Sequence, residues 1–324
     1  MIDLSAYQGK HIIITGSSGY LANQLVHQLC NQVCKITRIA SSGTILSLVQ
    51  GTCELDDIIG DLTNLQLWEN LLPEADIIFH FAGRANIALA NADPLDDLHY
   101  NVLPLLTLLE GCKRFGKKPT VILASTVSVY DSSEHDSVNE TTPIEPRSIY
   151  DLHKWQSENY LCYYAREGWI DGLALRLANV YGPDVRPGSL AYGVINRFIT
   201  QALAGESLIV FEPGTAKRDY IYVDDVAFAF LQAGIKGKML QGQVLNVASG
   251  HAYSTITIAE KVAKQVETLL GMPVLIQTEA APELVSQGAK RHLRVDISAI
   301  RHKLSWQAEV DIDRGIALTL QALR

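Results

Sequence analysis

An α/β fold, with a doubly wound parallel sheet followed by a smaller mixed α/β C-terminal region, is encoded in this chain of 324 residues. Short apolar runs alternate with helical stretches through the first half, a glycine turn directly follows the first run, and the texture becomes irregular after about residue 180. Such alternation points to parallel strands, because each crossover between them brings a helix that covers the sheet. "KHIIIT" (10–15) reads as a buried first strand and 20–32 as the helix after it. "KITRIA" (35–40), "DIIFHFA" (76–82), "TVILAS" (120–125) and "GLALRLANV" (172–180) read as further strands. Helical patterns at 97–114 and 150–167 lie between them. "YGPDVRPGS" is rich in turn residues, a helix follows at about 190–204, and shorter mixed elements run to the C-terminus. The division expected is 1–178 for the sheet domain, with segments near 218–235 returning to it, and 179–324 mainly for a smaller, irregular domain.

Hydrophobic residues make up 48% of the chain and charged residues 19%, ample material for a core and unlike a disordered sequence. The net charge of −8 argues against nucleic acid or an anionic membrane as the main partner. Any anion must then be held by a few aimed groups. The N-terminus lacks the basic start and long apolar core of a secretory signal, and no stretch nears the roughly 20 apolar residues that span a bilayer. Five cysteines, an odd number without a compact framework, read as reduced thiols of a cytosolic protein. Cys30 and Cys34 share a helical spacing, but no second pair completes a metal site, and the nine histidines contain no HExxH pattern. No metal is expected.

The glycine turn reads "TGSSGYLANQL". Gly16 permits a tight turn, Gly19 lets backbone amides approach a pyrophosphate at a helix N-terminus, and Tyr20 and Leu21 open that helix. Ala22 supplies the small residue that close helix–strand packing needs. A plain glycine turn and a dinucleotide site both satisfy this pattern. The second strand ends in "RIASSG", so Ser41 and Ser42 stand where an acid would take the ribose hydroxyls. With Arg38 nearby, as a cofactor contact or a solvated surface charge, this end admits NADP as well as NAD.

"STVSVY" (125–130) places hydroxyls at the C-terminal edge of the sheet, where open α/β folds hold ligands. "SIYDLHK" (148–154) sets Tyr150 and Lys154 one helical turn apart. A tyrosine titrates at about 10 in water, too high for a base at neutral pH. The Lys154 ammonium and an oxidised nicotinamide ring would favour the phenolate and lower that value. Thr126 would then hold the substrate oxygen while Tyr150 exchanges its proton.

"TGSSGYLA", "GDL" (60–62), "HFAG" (80–83), "STVSVY", "YDLHK", "LRLANVYGP" (175–183), "RDYIYVDDVA" (218–227) and "NVASG" (246–250) occur in this order. The set resembles the extended short-chain dehydrogenase/reductase family, of the NAD-dependent epimerase/dehydratase type that includes UDP-glucose 4-epimerase and other nucleotide-sugar enzymes. The likeness covers nearly the whole chain, and the "RxxNxYGP" and "RDYIYVDD" texts are far more specific than the glycine turn. It implies a Rossmann-type domain binding NAD, or NADP, followed by a nucleotide-sugar domain. It also implies that Asp61 and Leu62 contact adenine, that Phe81 and Ala82 lie beside the ribose and nicotinamide, and that Asn101 stands behind the site. Thr126, Tyr150 and Lys154 match the hydroxyl, the acid/base tyrosine and the lysine on the nicotinamide ribose. Asn179, Arg218 and Arg291 match positions that grip the substrate diphosphate, although "KRHLRVD" reads equally as a solvated basic patch. In this family the helices at 97–114 and 150–167 often pair across a two-fold axis, which implies a homodimer.

The resemblance also narrows the reaction. Its 4,6-dehydratases carry an Asp–Glu pair after the catalytic Thr, and its decarboxylases tend to carry a Glu there. Val127 and Ser128 occupy those places, and neither can act as a carboxyl acid or base. An epimerase that oxidises a sugar carbon and reduces it again is the favoured reading. An NADP-dependent keto-sugar reductase is the alternative, and a non-catalytic nucleotide sensor is disfavoured because Thr126, Tyr150 and Lys154 are all present.

Overall fold

The structure is a computed structural model that describes residues 3–41, 50–115, 118–130, 137–183, 193–280 and 293–323. Ser42, Arg291 and Asp131, the residue that follows "STVSVY", lie outside the described residues. Seven strands form the main sheet: β1 (His11–Thr15), β2 (Lys35–Ala40), β3 (Glu54–Ile59), β4 (Ile77–His80), β5 (Thr120–Thr126), β6 (Asp171–Leu177) and β10 (Gln243–Val247). Their order is β10-β6-β5-β4-β1-β2-β3, and every pairing is parallel. The chain runs outward from β1 through β2 to β3, then crosses to β4 on the other side. A crevice therefore opens between the C-terminal ends of β1 and β4, the switch point where such sheets bind ligands.

The sheet is buried on both faces, which is why its inner strands are continuously apolar. Ile12, Ile14, Ile36 and Phe79 pack against Leu25 and Val26 of α1 (Tyr20–Leu29) and Ala227 and Phe230 of α8 (Val223–Lys236). Ile13, Ile78, Val121 and Leu123 face the other way, toward Trp68 of α2 (Leu65–Leu71), Leu105 and Leu108 of α5 (Leu103–Phe115) and Leu161 of α6 (Ile149–Arg166). Each valine, leucine, isoleucine or phenylalanine among them contributes about 1.5–3 kcal/mol by burial. A third core joins Phe198 and Ile199 of α7 (Gly193–Leu203), Val210 of β8 (Leu208–Phe211), Val262 of α9 (Thr255–Leu270) and Ile316. Around it lie two small sheets, ordered β11-β9-β7 and β12-β8, with β7 Asn179–Tyr181, β9 Lys217–Tyr222, β11 Ala252–Ser254 and β12 Ile276–Glu279.

Several elements differ from the reading of the sequence. β3, "ELDDII", escapes it because this is the sheet edge, where Glu54, Asp56 and Asp57 are exposed and charges guard the strand's unpaired outer side. The helical pattern at 97–114 is two helices, α4 (Pro94–Asn101) and α5. Pro104 has no N–H for the Tyr100 carbonyl, and its ring disfavours a continuous turn. The strand at 172–180 is likewise two, since the chain leaves the main sheet at Ala178 to begin β7. The first helix ends at Leu29 rather than at residue 32. β10 extends the main sheet from beyond the segment expected to return to it.

Candidate active site

Gly16 takes φ 65, and a Cβ there would stand 2.7 Å from Ala82 N. The turn after β1 thus lies directly against the chain leaving β4, and only glycine fits. Gly19 begins α1 without any side-chain cap, which leaves its first N–H groups for a ligand. Ser17 Oγ and both amide atoms of Asn23 are buried here without hydrogen-bond partners among the described residues. The Tyr20 hydroxyl lies against Gly182, where a Cβ would come within 2.5 Å of it. Asp61, just past β3, accepts from the Thr63 amide and hydroxyl, each at 2.8 Å, and these bonds hold its carboxyl below the usual range. Leu62 gives its carbonyl to the Trp68 indole at 2.8 Å. Ala82 N–H donates to Thr15 Oγ1 at 3.2 Å, and Phe81 packs on Phe230 with centroids 4.6 Å apart.

The end of β2 corrects one expectation. Arg38 is no solvated charge: it is buried and makes two bonds of 2.7 Å with Asp57, its register partner on β3. Ser41 is exposed at the strand's exit.

Leu21, Phe81, Thr126, Tyr150 and Lys154 meet around one cavity of about 240 Å³. Among the described residues its lining includes two cations, Arg84 and Lys154, and no carboxylate. α6 presents the last two residues because Ser148 caps it, accepting the Asp151 N–H at 3.1 Å. Lys154 Nζ donates to the Ala124 carbonyl at 3.1 Å and lies 6.0 Å from the centre of the Tyr150 ring. Burial draws this ammonium down to about 8, against the pull of Asp97 and Glu158. Tyr150 departs from the expectation of a lowered value: burial, then the charges of Asp151 and Asp97, push its phenol up. Lys154 alone does not activate it. Thr126 Oγ1 lies 2.9 Å from Ser128 Oγ and accepts the Ser128 N–H at 3.1 Å, and Ser128 Oγ donates in turn to Asp151 Oδ1. Asn101 does not line the cavity, and its amide braces the chain after β4 from behind.

Residues 12–248 match the NAD dependent epimerase/dehydratase family. The chain belongs to that family. It is similar to a UDP-glucose 4-epimerase of Mycolicibacterium smegmatis, 31% identical over 318 residues that span 96% of this chain and 98% of the relative. UDP-glucuronic acid decarboxylase 3 of Arabidopsis thaliana is 27% identical, over 97% of this chain and 89% of its own. Among solved structures, a UDP-N-acetylglucosamine 4-epimerase from Methanobrevibacter ruminantium, in complex with UDP-N-acetylmuramic acid, superposes with a TM-score of 0.84 at 27% identity, covering 98% of each chain. Membership makes this chain an enzyme of an NAD-dependent family. The glycine-only contact at Gly16, the uncapped start of α1 and the orphaned Ser17 and Asn23 atoms fit that cofactor.

A second cavity, of about 70 Å³, adjoins the first and shares Thr126, Leu177 and Ala178 with it. Asn179 and Arg218 line it. Asn179 Nδ2 donates to the Asp219 carbonyl at 2.9 Å, and burial pulls the Arg218 guanidinium down from its ordinary value. Asp219, fully buried, accepts from Ser249 N–H and Oγ at 2.8 Å and from Gly250 N–H at 2.9 Å, tying the "NVASG" turn to β9 beside Arg218. Burial pushes its carboxyl up to about 7 against these donors. A larger cavity, of about 620 Å³ and lined by Phe228, Asp225 and Trp306, shares no residue with either.

Sequence reading missed the polar groups that brace the site. Glu158 accepts from Arg176 at 2.9 and 2.6 Å and from Ser125 Oγ, and the Arg176 guanidinium sits 4.7 Å over the Tyr130 ring. This buried network locks α6 to β5 and β6. Its signal is on the page: Asp151, Lys154 and Glu158 recur at helical spacing on the face where α6 should be apolar.

Proposed function

We propose that this chain is a nucleotide-sugar epimerase that oxidises one sugar carbon to a ketone and reduces it again without releasing the cofactor. The observation that carries the reading is the cavity itself. Thr126, Tyr150 and Lys154 share it with Phe81 and Gly83, and no carboxylate among the described residues lines it. Bound NAD supplies the hydride acceptor and, once reduced, the donor. Tyr150 takes the proton of the sugar hydroxyl and later returns it to the oxygen. Thr126 holds that oxygen in place, and Lys154 holds the ribose side of the cofactor and keeps a positive charge beside the phenol. Asn179 and Arg218, in the adjoining cavity, take the substrate diphosphate, for which an aimed guanidinium is the suitable donor.

Decarboxylation and dehydration need a further acid or base at the sugar, and Val127 and Ser128 supply none. Asp151, the carboxylate behind Ser128, is buried and outside the cavity lining. A keto-sugar reductase on NADP is disfavoured because Arg38 is held by Asp57. The exposed Leu152, Trp155 and Tyr163 on α6 support the pairing of two copies along that helix. The test is to denature freshly purified protein and identify the released nucleotide by mass spectrometry. Close to one NAD per chain supports the epimerase, whereas an empty protein that binds NADPH tightly would replace it with the reductase.

A further inference from the structure

Between Tyr150 and Lys154, α6 turns His153 inward, and no step of the reaction above uses it. His153 Nδ1 stands 2.6 Å from Asp97 Oδ2 on α4, with both side chains buried. The other Asp97 oxygen accepts from Asn101 Nδ2 at 2.8 Å, one turn along α4. A carboxylate can only accept, so Asp97 fixes which end of the Asn101 amide faces it. That amide is then engaged at both ends with Arg84, donating to its carbonyl at 3.1 Å and accepting its N–H at 3.0 Å. A Cβ at Gly83 would stand 2.5 Å from Asn101 Oδ1 and 3.3 Å from Lys154 Nζ, so the backbone leaving β4 is wedged between the two. A buried carboxylate is costly unless its charge is answered. Asn101 offers a neutral amide, and His153 is the neighbour able to supply the opposite charge.

We propose that His153 and Asp97 are a positioning pair for this site: they orient Asn101, which holds the Gly83–Arg84 backbone against Lys154, and their balance of charge shapes the field at Tyr150 and Lys154. The inference rests on the reading of Tyr150 as the proton carrier. Among the described residues, the ionisable groups facing Tyr150 and Lys154 are Asp151 and Glu158 from their own helix, Asp97 from α4, His80 from the end of β4 and Arg84 from that strand's exit. β5 offers only the hydroxyls of Ser125 and Thr126. The Asp97 charge makes both Tyr150 and Lys154 hold their protons more tightly. A proton held between His153 and Asp97 would offset that charge, so replacing His153 by a neutral residue removes the offset, whereas replacing Asp97 removes the charge itself. The two ends of one hydrogen bond therefore act in opposite directions, and lost packing alone would not.

The test is an ultraviolet phenolate titration of NAD-loaded protein, with Tyr150→Phe identifying the Tyr150 signal. His153→Gln is expected to move the midpoint up by about one pH unit and Asp97→Asn to move it down by about as much. A midpoint unmoved in both, or moved the same way in both, overturns the proposal. His153→Gln keeps a donor for Asp97, and an unmoved midpoint in it decides against the pair even where Asp97→Asn does not fold. The titration needs no turnover, so the reading of Tyr150 fails separately, through undiminished turnover of Tyr150→Phe.

Discussion

Lys154, Tyr150 and His80 show how burial sets charge at the centre of this enzyme. All three lie where the sheet meets α6, and for each of them desolvation is the largest influence on the proton. Tyr150 is harder to ionise than in water, so the proposed mechanism ties its activation to the positive charge of a bound nicotinamide. His80 is the simplest to test. Its Nδ1 lies 3.1 Å from Thr15 Oγ1, and burial, then the Lys154 charge, holds the imidazole down to about 3. An unfolded histidine titrates at about 6.5. Between those values the unfolded chain binds a proton that the native chain refuses, so this stability is complete above about pH 6.5 and is lost as the pH falls toward about 3. The melting temperature of the wild type should fall more steeply from about pH 7 to about pH 5 than that of His80→Gln. Equal slopes would contradict the assignment.

Elements explain which parts of the site were legible. β1, β4 and β5 carry unbroken apolar runs between polar ends because helices cover both faces, and such runs are visible in any sequence. β3 is an edge with three exposed acids, so its strand character comes from pairing with β2 and not from its composition. Thr126, Tyr150 and Lys154 were legible because their texts stand in a specific order along the chain. His153 and Asp97 were not, since 56 residues separate them and only the packing of α4 on α6 joins them. The glycine turn belongs to this scale as well. Gly16→Ala puts a Cβ into the backbone leaving β4 and forces a residue with a side chain into positive φ. It should destabilise the fold by more than about 1 kcal/mol and abolish NAD retention, read by thermal melting and mass spectrometry. A stable variant that keeps its NAD would show that β1 and β4 do not need this contact.

At the scale of the whole molecule, the chain carries a net charge of −8, and Arg84, Lys154 and Arg218 are the cations that line the two adjoining cavities among the described residues. Among the described residues no helix is long and apolar enough to cross a membrane. Tyr163 on α6 is 47% exposed and stands in line with Leu152 and Trp155, more apolar surface than one helix needs for its own packing. Sedimentation should give a particle of two chains, and Tyr163→Glu should shift it toward one; a wild type of single-chain mass at micromolar concentration would exclude the pairing. The central claim is an internal oxidation and re-reduction at one carbon. It is tested most directly by incubating the protein, without added cofactor, with UDP-glucose deuterated at every ring carbon. The account predicts a sugar nucleotide of unchanged mass and altered configuration. A product lighter by water or by deuterium, or a reaction that proceeds only with added NADPH, would contradict it.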